Sequence, residues 1–317
     1  MVKMLKWCTR SFLLTIFHIS GVFGIATTNT ILNEKLSAID SLVSHARNEL
    51  NIPGMAVGIV ANGQTIFARG YGLRDYTDPQ SHVTNCTLFA IGSCTKAFTT
   101  YALERLINKD GLLNWGDLVA RRIPEFRMSN TLTTHHIKVK DLVTHVSGLP
   151  RHDMVAMFAN MSKDELLVRL PYLDTTYDLR EKYQYNNIMY SVAGLVMERA
   201  TNRSWDDIVR DRIFKPLNMT RSFTSIEDAQ QKQVDNVATP HSISVFSSDA
   251  QLATAVPWTQ LTGIAPAASI VSSVEDMLNG LNYSYDCPES RRKCTFRRQR
   301  YLAIRRLRHS LTVWDGC

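Results

Sequence analysis

Two short β-type runs joined by a tight turn constrain the fold of this chain more than any other feature. Residues 55–60 and 65–71 are rich in β-forming side chains, and Asn62-Gly63 lies between them. An Asn-Gly pair flanked by such runs is the strongest short-range signal for a β-hairpin. Residues 34–50 carry apolar side chains at helical spacing and end before Pro53-Gly54. The sequence therefore predicts a helix followed by a hairpin, which is the start of an α/β domain.

Residues 93–280 are predicted to be mainly helical, with long loops and no internal repeat. Ser162 with Glu165 forms a capping-box pattern, and Ser204 with Asp207 resembles one. Another helix is expected directly after Asn187, and residues 272–275 open one more. These start signals divide the middle of the chain into several short amphipathic helices.

Ser93 and Lys96 stand where the apolar residues 88–91 lead into a predicted helix over residues 97–107. On a helix, positions three apart share one face, with Cβ atoms about 5–6 Å apart. A lysine of lowered pKa can take the serine proton at this distance, and free N–H groups at a helix start favour an oxyanion. One Ser-x-x-Lys is also expected by chance in a chain of this length, so the pair needs support from other residues.

Tyr185 and Asn187 form a second pattern, Tyr-x-Asn, just before a predicted helix. A tyrosine can relay a proton if neighbouring cations lower its pKa below about 10. An asparagine offers both a donor and an acceptor to a substrate that carries an amide. A packing tyrosine beside a helix-capping asparagine is the alternative interpretation.

A basic C-terminal segment accounts for the net charge of +7. Residues 287–317 contain nine Lys and Arg against Glu289 and Asp315, and the rest of the chain has equal numbers of basic and acidic residues. Because the body is neutral, no preference for nucleic acid follows. The segment is interpreted either as a solvated, partly disordered tail or as a binding surface for an acidic matrix.

The N-terminal residues 1–26 combine a basic start, a short apolar run and small residues near Gly24 and Ala26. This pattern predicts a secretory signal peptide and no stable membrane anchor, with a buried N-terminal helix as the alternative. Sequons support a secreted, extracellular glycoprotein. They lie at Asn85, Asn160, Asn202, Asn218 and Asn282.

Secretion would permit disulfides, and Cys287 with Cys294 is the most local candidate pair. Cys94, beside Ser93, is interpreted as a buried thiol. No Cys or His cluster has the spacing of a metal site, and His135-His136 are expected at the surface. His145 is tempting as a base, but a structural hydrogen bond explains it better.

Ser93-x-x-Lys96, Tyr185-x-Asn187 and the intervening residues 141–150 (DLVTHVSGLP) together resemble the serine β-lactamase-like superfamily. The match is to the branch of class C β-lactamases, penicillin-binding proteins and DD-peptidases, and it covers roughly residues 34–280. A secreted animal-type member also looks like the gigasin-type shell-matrix proteins of molluscs. The resemblance implies an α/β plus α, transpeptidase-like fold, with an antiparallel sheet flanked by helices and a helical subdomain.

The resemblance also implies a role for each site residue. Ser93 would attack a carbonyl and form an acyl-enzyme, and Lys96 would take its proton. Tyr185 would pass the proton to the leaving nitrogen and activate water, while Asn187 with Lys96 would orient the substrate. The implied substrates are small amides, lactams, esters or D-amino-acid peptides, and neither a metal nor an organic cofactor is implied.

One departure from the family pattern is that no Lys/His-Ser/Thr-Gly triplet follows Asn187. In the family that this chain resembles, the triplet lies on a strand that supplies one backbone N–H to the oxyanion. Loss of such a donor would lower the rate by about 10²–10³. The sequence thus predicts a signal peptide at 1–26, an incomplete domain truncated at its C-terminus over 27–280, and an unrelated basic tail at 281–317. Two hypotheses remain: a secreted serine hydrolase, or an impaired matrix protein that uses the fold as a scaffold.

Overall fold

The computed structural model describes residues 15–18, 29–153, 161–243 and 253–285. Most of the expected signal peptide, the sequon at Asn160 and the cysteine-containing tail lie outside the described residues. The helices are α1 (Asn29–Glu49), α2 (Thr95–Asn108), α3 (Val119–Arg122), α4 (Thr131–His136), α5 (Val139–Thr144), α6 (Lys163–Arg169), α7 (Ile188–Thr201), α8 (Trp205–Val209), α9 (Ile226–Gln231), α10 (Ala265–Ala268) and α11 (Val274–Tyr285). The strands are β1 (Thr15–His18), β2 (Gly54–Ala61), β3 (Gln64–Gly72), β4 (Phe89–Ala90), β5 (Ser222–Phe223), β6 (His241–Ile243), β7 (Ala253–Ala255) and β8 (Val271–Ser272).

The predicted hairpin is confirmed: β2 and β3 pair antiparallel around Asn62 and Gly63. Both turn residues have positive φ, 52° and 76°, which is the backbone that Asn-Gly turns favour. The short strand β1 adds to the other edge of β2 in parallel. The hairpin and its neighbours therefore form a three-stranded sheet in the order β1-β2-β3.

Helices cover this sheet on both sides, and β2 is therefore buried on both faces. Met55, Val57 and Tyr71 form one cluster, against which Val43 of α1 packs. Ala56 and Val60 pack with Val274 and Leu278 of α11 on the other side. The sheet therefore lies between α1 and α11, as expected for a sheet that is flanked by helices.

A larger helical unit surrounds α7, whose first ten residues, 188–197, are all buried. Side chains from α2, α5, α6 and α8 join the same apolar core. Trp205 is fully buried there, and its indole N–H donates to Thr99 Oγ1 at 3.0 Å. Thr99 in turn donates to the Pro266 carbonyl at 2.7 Å, so the indole N–H and the threonine hydroxyl are both paired inside this core.

The predicted helix starts are confirmed, with one adjustment. Ser162 and Glu165 form a reciprocal capping box at α6, and the Ser204 hydroxyl accepts from the Asp207 N–H at α8. At α11 the cap is Ser273, whose Oγ accepts from the Asp276 N–H. Ser272 instead lies in β8 and bonds the Ser222 hydroxyl, so it fastens strands together.

A small sheet that the sequence patterns did not predict holds the approach to Ser93. Its order is β4-β8-β5, and each strand has only two residues. The Ile91 N–H then donates to the Ile270 carbonyl at 3.0 Å. Residues 89–91 are thus fixed by a segment about 180 positions later. Within the described ranges, no helix combines the length and apolar character that a membrane crossing requires.

Candidate active site

Ser93 lies in a short 3₁₀ turn, Gly92–Cys94, between β4 and α2. Gly92 takes a positive φ of 50°, which lets the chain turn sharply out of the strand. Thr95 begins α2 and is anchored from the far side, because its Oγ1 accepts from the Ile270 N–H. The serine side chain is exposed and stands directly before the helix, where the sequence placed it.

Lys96 is on the first turn of α2 and points at the serine. Its Nζ lies 3.1 Å from Ser93 Oγ, 2.7 Å from Asn187 Oδ1 and 3.0 Å from the Ala267 carbonyl oxygen. A protonated amine would donate to all three oxygens. A neutral amine would donate to the two carbonyl groups and keep its lone pair for the serine hydroxyl.

Burial lowers the pKa of Lys96 to about 7. The side chain is only 7% exposed, and desolvation of the ammonium form is the largest cause. The Asp153 carboxylate raises this pKa and the Arg151 guanidinium lowers it, but neither outweighs burial. A substantial neutral fraction therefore exists near pH 7, which is the form able to accept a proton.

Tyr185 contacts the same serine, with its Oη 2.6 Å from Ser93 Oγ. Lys96 Nζ lies 4.8 Å from the tyrosine ring centroid, and the Arg151 guanidinium carbon lies 5.0 Å from it. Burial nevertheless raises the pKa of Tyr185, against the lowering by the Ser93 hydrogen bond and Arg151. A proton relay by Tyr185 was expected to need neighbouring cations that lower its pKa below 10. Because burial raises this pKa instead, the resting phenol is protonated.

Asn187 immediately precedes α7 and its carboxamide is paired at both ends. The oxygen accepts from Lys96, and Nδ2 donates to Asp153 Oδ1 at 2.8 Å. These bonds assign one orientation to the amide. The asparagine thus holds Lys96 directly, while its donor group faces a carboxylate of the protein.

Asn186 fastens the turn at residues 147–150 onto the tyrosine segment. Its Nδ2 donates to the carbonyls of Leu149 and Pro150, and its Oδ1 accepts from the Met189 N–H. The side chain is fully buried. The two sequence motifs between residues 141 and 187 are therefore one physical unit, which explains why they occur together.

His145 has the structural role expected of it. Its Nδ1 accepts from the Asn186 N–H at 3.1 Å, and its ring stacks on Tyr185 with centroids 4.5 Å apart. Burial, aided by the nearby Lys96, lowers the pKa of His145 to about 4. A neutral ring at pH 7 supports the tyrosine, while His135 and His136 are exposed as predicted.

Three contributors to the site were missed by sequence reasoning: Asp153, Arg151 and the carbonyl of Ala267. The first two follow directly after Pro150, so charged residues beside a motif turn were the available signal. The carbonyl carries no side-chain signal at all. Cys94, expected to be a buried thiol, is exposed beside Ser93. Among the described residues, no group of three or more His, Cys, Asp or Glu is arranged to hold a metal.

The sequence matches the family described as Beta-lactamase over residues 39–304. This chain belongs to the beta-lactamase family. Two solved structures are similar to it and support the predicted β-lactamase/transpeptidase-like fold. The octameric penicillin-binding protein homologue from Pyrococcus abyssi superposes with a TM-score of 0.67 at 22% identity, covering 78% of this chain and 56% of that one. FmtA from Staphylococcus aureus gives 0.61 at 23%, covering 72% and 61%.

Curated members of the family share more sequence but over less of their length. The unguisins hydrolase ungD' of Aspergillus campestris is 31% identical over 199 residues, covering 60% of this chain and 36% of that protein. Protein flp of Staphylococcus aureus strain N315 is 27% identical over 263 residues, covering 82% and 51%. This chain therefore spans about a third to a half of these relatives.

The predicted glycosylation sites differ in accessibility. Asn202 and Asn218 are exposed, whereas Asn85 is half-buried. Asn282 lies within α11. Occupancy of these sequons and the boundaries at residues 26 and 280 stay predictions, and the family match itself ends at 304, inside the basic segment.

Proposed function

We propose that this chain is a serine hydrolase that cleaves small amides, lactams, esters or D-amino-acid peptides through an acyl-enzyme on Ser93. One observation carries the proposal: Ser93 Oγ lies 3.1 Å from Lys96 Nζ and 2.6 Å from Tyr185 Oη. An exposed hydroxyl beside a buried amine and a half-buried phenol is the arrangement that nucleophilic catalysis needs.

In the acylation step, Lys96 acts as the base. The neutral amine accepts the Ser93 proton while Oγ bonds to the substrate carbonyl carbon. Asn187 and the Ala267 carbonyl hold Nζ in place by hydrogen bonds of 2.7 and 3.0 Å. A base with a pKa of about 7 is well matched to neutral pH.

Tyr185 serves the leaving group. Its phenol donates a proton to the departing nitrogen or oxygen as the bond to the acyl carbon breaks, and the lysine proton replaces it. In deacylation, water loses a proton to the same groups and its oxygen bonds to the acyl carbon. The bond from that carbon to Ser93 Oγ then breaks as Oγ takes up the proton that the water lost, which frees the acid and restores the serine hydroxyl.

The names of the relatives agree with this reaction class. One curated relative is named a hydrolase and one structural relative a penicillin-binding protein homologue. Their substrates come to this chain only as candidates, because it spans about a third to a half of the curated proteins it matches.

A fluorescent fluorophosphonate and a fluorescent penicillin test the proposal. Wild-type protein is expected to be labelled at Ser93, as located by peptide mass spectrometry, and Ser93→Ala protein to stay unlabelled with an unchanged melting temperature. Ser41→Ala, at an exposed position of α1, is the matched control and should label like wild type. Folded wild-type protein that neither probe labels at Ser93 would refute the enzymatic proposal.

A secreted matrix role is the second candidate, favoured by the nine Lys and Arg in residues 287–317 and the missing third triplet. It predicts binding to an acidic polysaccharide that weakens when the basic residues between 291 and 308 are replaced by Gln. Unchanged binding would remove this candidate. Sequencing the N-terminus of protein recovered from culture medium tests secretion and cleavage near residue 26, and a glycosidase-induced mass shift tests the sequons.

A further inference from the structure

Arg151 lies beside the ring of Tyr185. Its guanidinium carbon lies 5.0 Å from the tyrosine ring centroid, and the same tyrosine contacts Ser93. The arginine side chain is 62% exposed, although it stands next to a buried cluster. It therefore presents a positive charge at the surface, one aromatic ring away from Ser93.

The arginine is held in one direction by its neighbour. Its Nε donates to Asp153 Oδ2 at 2.6 Å, and Asp153 is itself fixed by the Asn187 amide. Asn186 clamps the carbonyls of Leu149 and Pro150 just before it. Within the described part of the chain, Nε forms the hydrogen bond and ion pair of Arg151, and no described residue bonds its two terminal amino groups.

Lys96 cannot provide this charge to a substrate. It is 7% exposed, and its nitrogen already faces three oxygens of the protein. Among the described residues, Arg151 is the exposed cation that contacts Tyr185, the phenol beside Ser93. A guanidinium with free terminal N–H groups matches a carboxylate in shape and charge, which an ammonium group does not do as well.

We propose that Arg151 binds a carboxylate of the substrate and makes the site selective for anionic esters and amides. The proposal rests on the proposed function at Ser93 and adds a substrate class to it. Asp153 acts as the positioning residue, because it pairs with Nε and leaves the outer edge of the guanidinium for the ligand.

An alternative role for Arg151 makes a different prediction. If the arginine served only the chemistry of Tyr185, its loss would slow every substrate equally, because the phenol acts on all of them. If it binds a carboxylate, its loss slows substrates that carry one far more than substrates that do not. Two esters with the same acyl group separate these cases: 3-acetoxybenzoate, which is anionic, and its neutral methyl ester.

In the first experiment, kcat/KM is measured for both esters with wild-type protein, Arg151→Gln and Arg151→Lys. We expect Arg151→Gln to lower kcat/KM for the anion about 10- to 100-fold more than for the neutral ester, mainly through KM. Arg151→Lys should recover part of the loss, since lysine restores the positive charge but lacks the planar pair of N–H donors. Arg121→Gln, at an exposed position of α3, is the control and should alter neither ester.

A second experiment does not depend on turnover. Calorimetry with the Ser93→Ala protein measures binding of the intact anion and of its methyl ester. We expect the anion to bind more tightly, and this preference to disappear in the Ser93→Ala/Arg151→Gln protein. Equal losses for both esters, or an anion preference that survives without the arginine, would overturn the carboxylate site. Absence of Ser93-dependent turnover with the binding preference intact would instead overturn only the hydrolase proposal.

Discussion

Asp153 and Lys96 are linked through a single carboxamide, although they belong to segments 57 residues apart. The Asn187 side chain donates to the carboxylate at 2.8 Å and accepts from the amine at 2.7 Å. The negative charge of Asp153 raises the pKa of Lys96 against the lowering by burial. Asp153 therefore offsets part of the lowering that burial causes in the pKa of Lys96.

Asp153→Asn is expected to shift the pH profile of hydrolysis. Removing the carboxylate disfavours the ammonium form, so the pKa of Lys96 falls below its value of about 7. Because the neutral amine is the active form, the acidic limb of kcat/KM should move to lower pH by up to about one unit. Stopped assays with the methyl ester of 3-acetoxybenzoate measure the profile. Asp164→Asn, whose carboxylate is exposed and pairs with Arg199, is the control, and an acidic limb that stays or rises in Asp153→Asn contradicts the link.

The buried lysine should also leave a signature in stability. Its pKa is about 7 in the native state against 10.5 as the ordinary value. Between these values the unfolded chain binds a proton that the native protein lacks, so the free energy of unfolding rises with pH, by up to ~1.4 kcal/mol per unit. Lys96→Met should lack this increment between about pH 7 and 9. Urea titrations of both proteins give the difference, Lys109→Met should behave like wild type, and parallel curves for wild type and Lys96→Met would exclude a neutral lysine.

His145 predicts the opposite end of the pH range. Burial lowers its pKa from 6.5 to about 4, so the unfolded chain takes up a proton first on acidification. Stability should fall as the pH drops from about 6.5 to 4, by about 3 kcal/mol in total from this group. His145→Asn keeps an acceptor for the Asn186 N–H and tolerates the positive φ of 61°, but it does not titrate.

Thermal unfolding of His145→Asn and wild type at pH 7 and at lower pH tests this expectation. The melting temperatures should converge on acidification, because only wild type has an imidazole that binds a proton more tightly in the unfolded chain than in the native protein. His135→Asn is the matched control at an exposed position. A gap between the two proteins that is constant with pH would show that the ring acts by packing alone.

Gly194→Ala is expected to displace α10, which carries a hydrogen-bond acceptor of Lys96. A Cβ at this position of α7 would lie 2.5 Å from Pro266 Cγ, in the helix whose Ala267 carbonyl holds Lys96. Overpacking of this kind costs about 1–3 kcal/mol, and the displaced carbonyl should reduce kcat as well. Gly116→Ala has nothing within 4 Å of the added carbon and should change stability by less than about 0.5 kcal/mol. Equal melting temperatures for the two variants would contradict the contact.

Local chemistry made much of this structure predictable. Asn62-Gly63 requires a turn of positive φ, and Ser162, Ser204 and Asn187 mark helix starts, so the hairpin and the helices followed from neighbouring residues. The approach of Ser93, Lys96, Tyr185 and Asn187 was anticipated through the family resemblance, since 91 residues separate Lys96 from Asn187.

Features formed by distant backbone groups could not be anticipated. The sheet β4-β8-β5 has two-residue strands, too short for alternation to show. The Ala267 carbonyl belongs to any residue type and carries no pattern. The pKa of Tyr185 depended on the balance of burial against two opposing effects, and only the packed structure shows that burial is the larger.

The hydrogen bond from Lys96 to Ala267 spans 171 residues, and the bond from Ile270 to Thr95 spans 175. Contacts of such sequence separation form late, because the intervening chain must first be closed into a loop. During synthesis, Ser93 and Lys96 leave the ribosome long before residues 267–270 are available to them. A nascent chain that stops short of residue 267 thus contains the serine and the lysine but lacks the carbonyl that holds the amine.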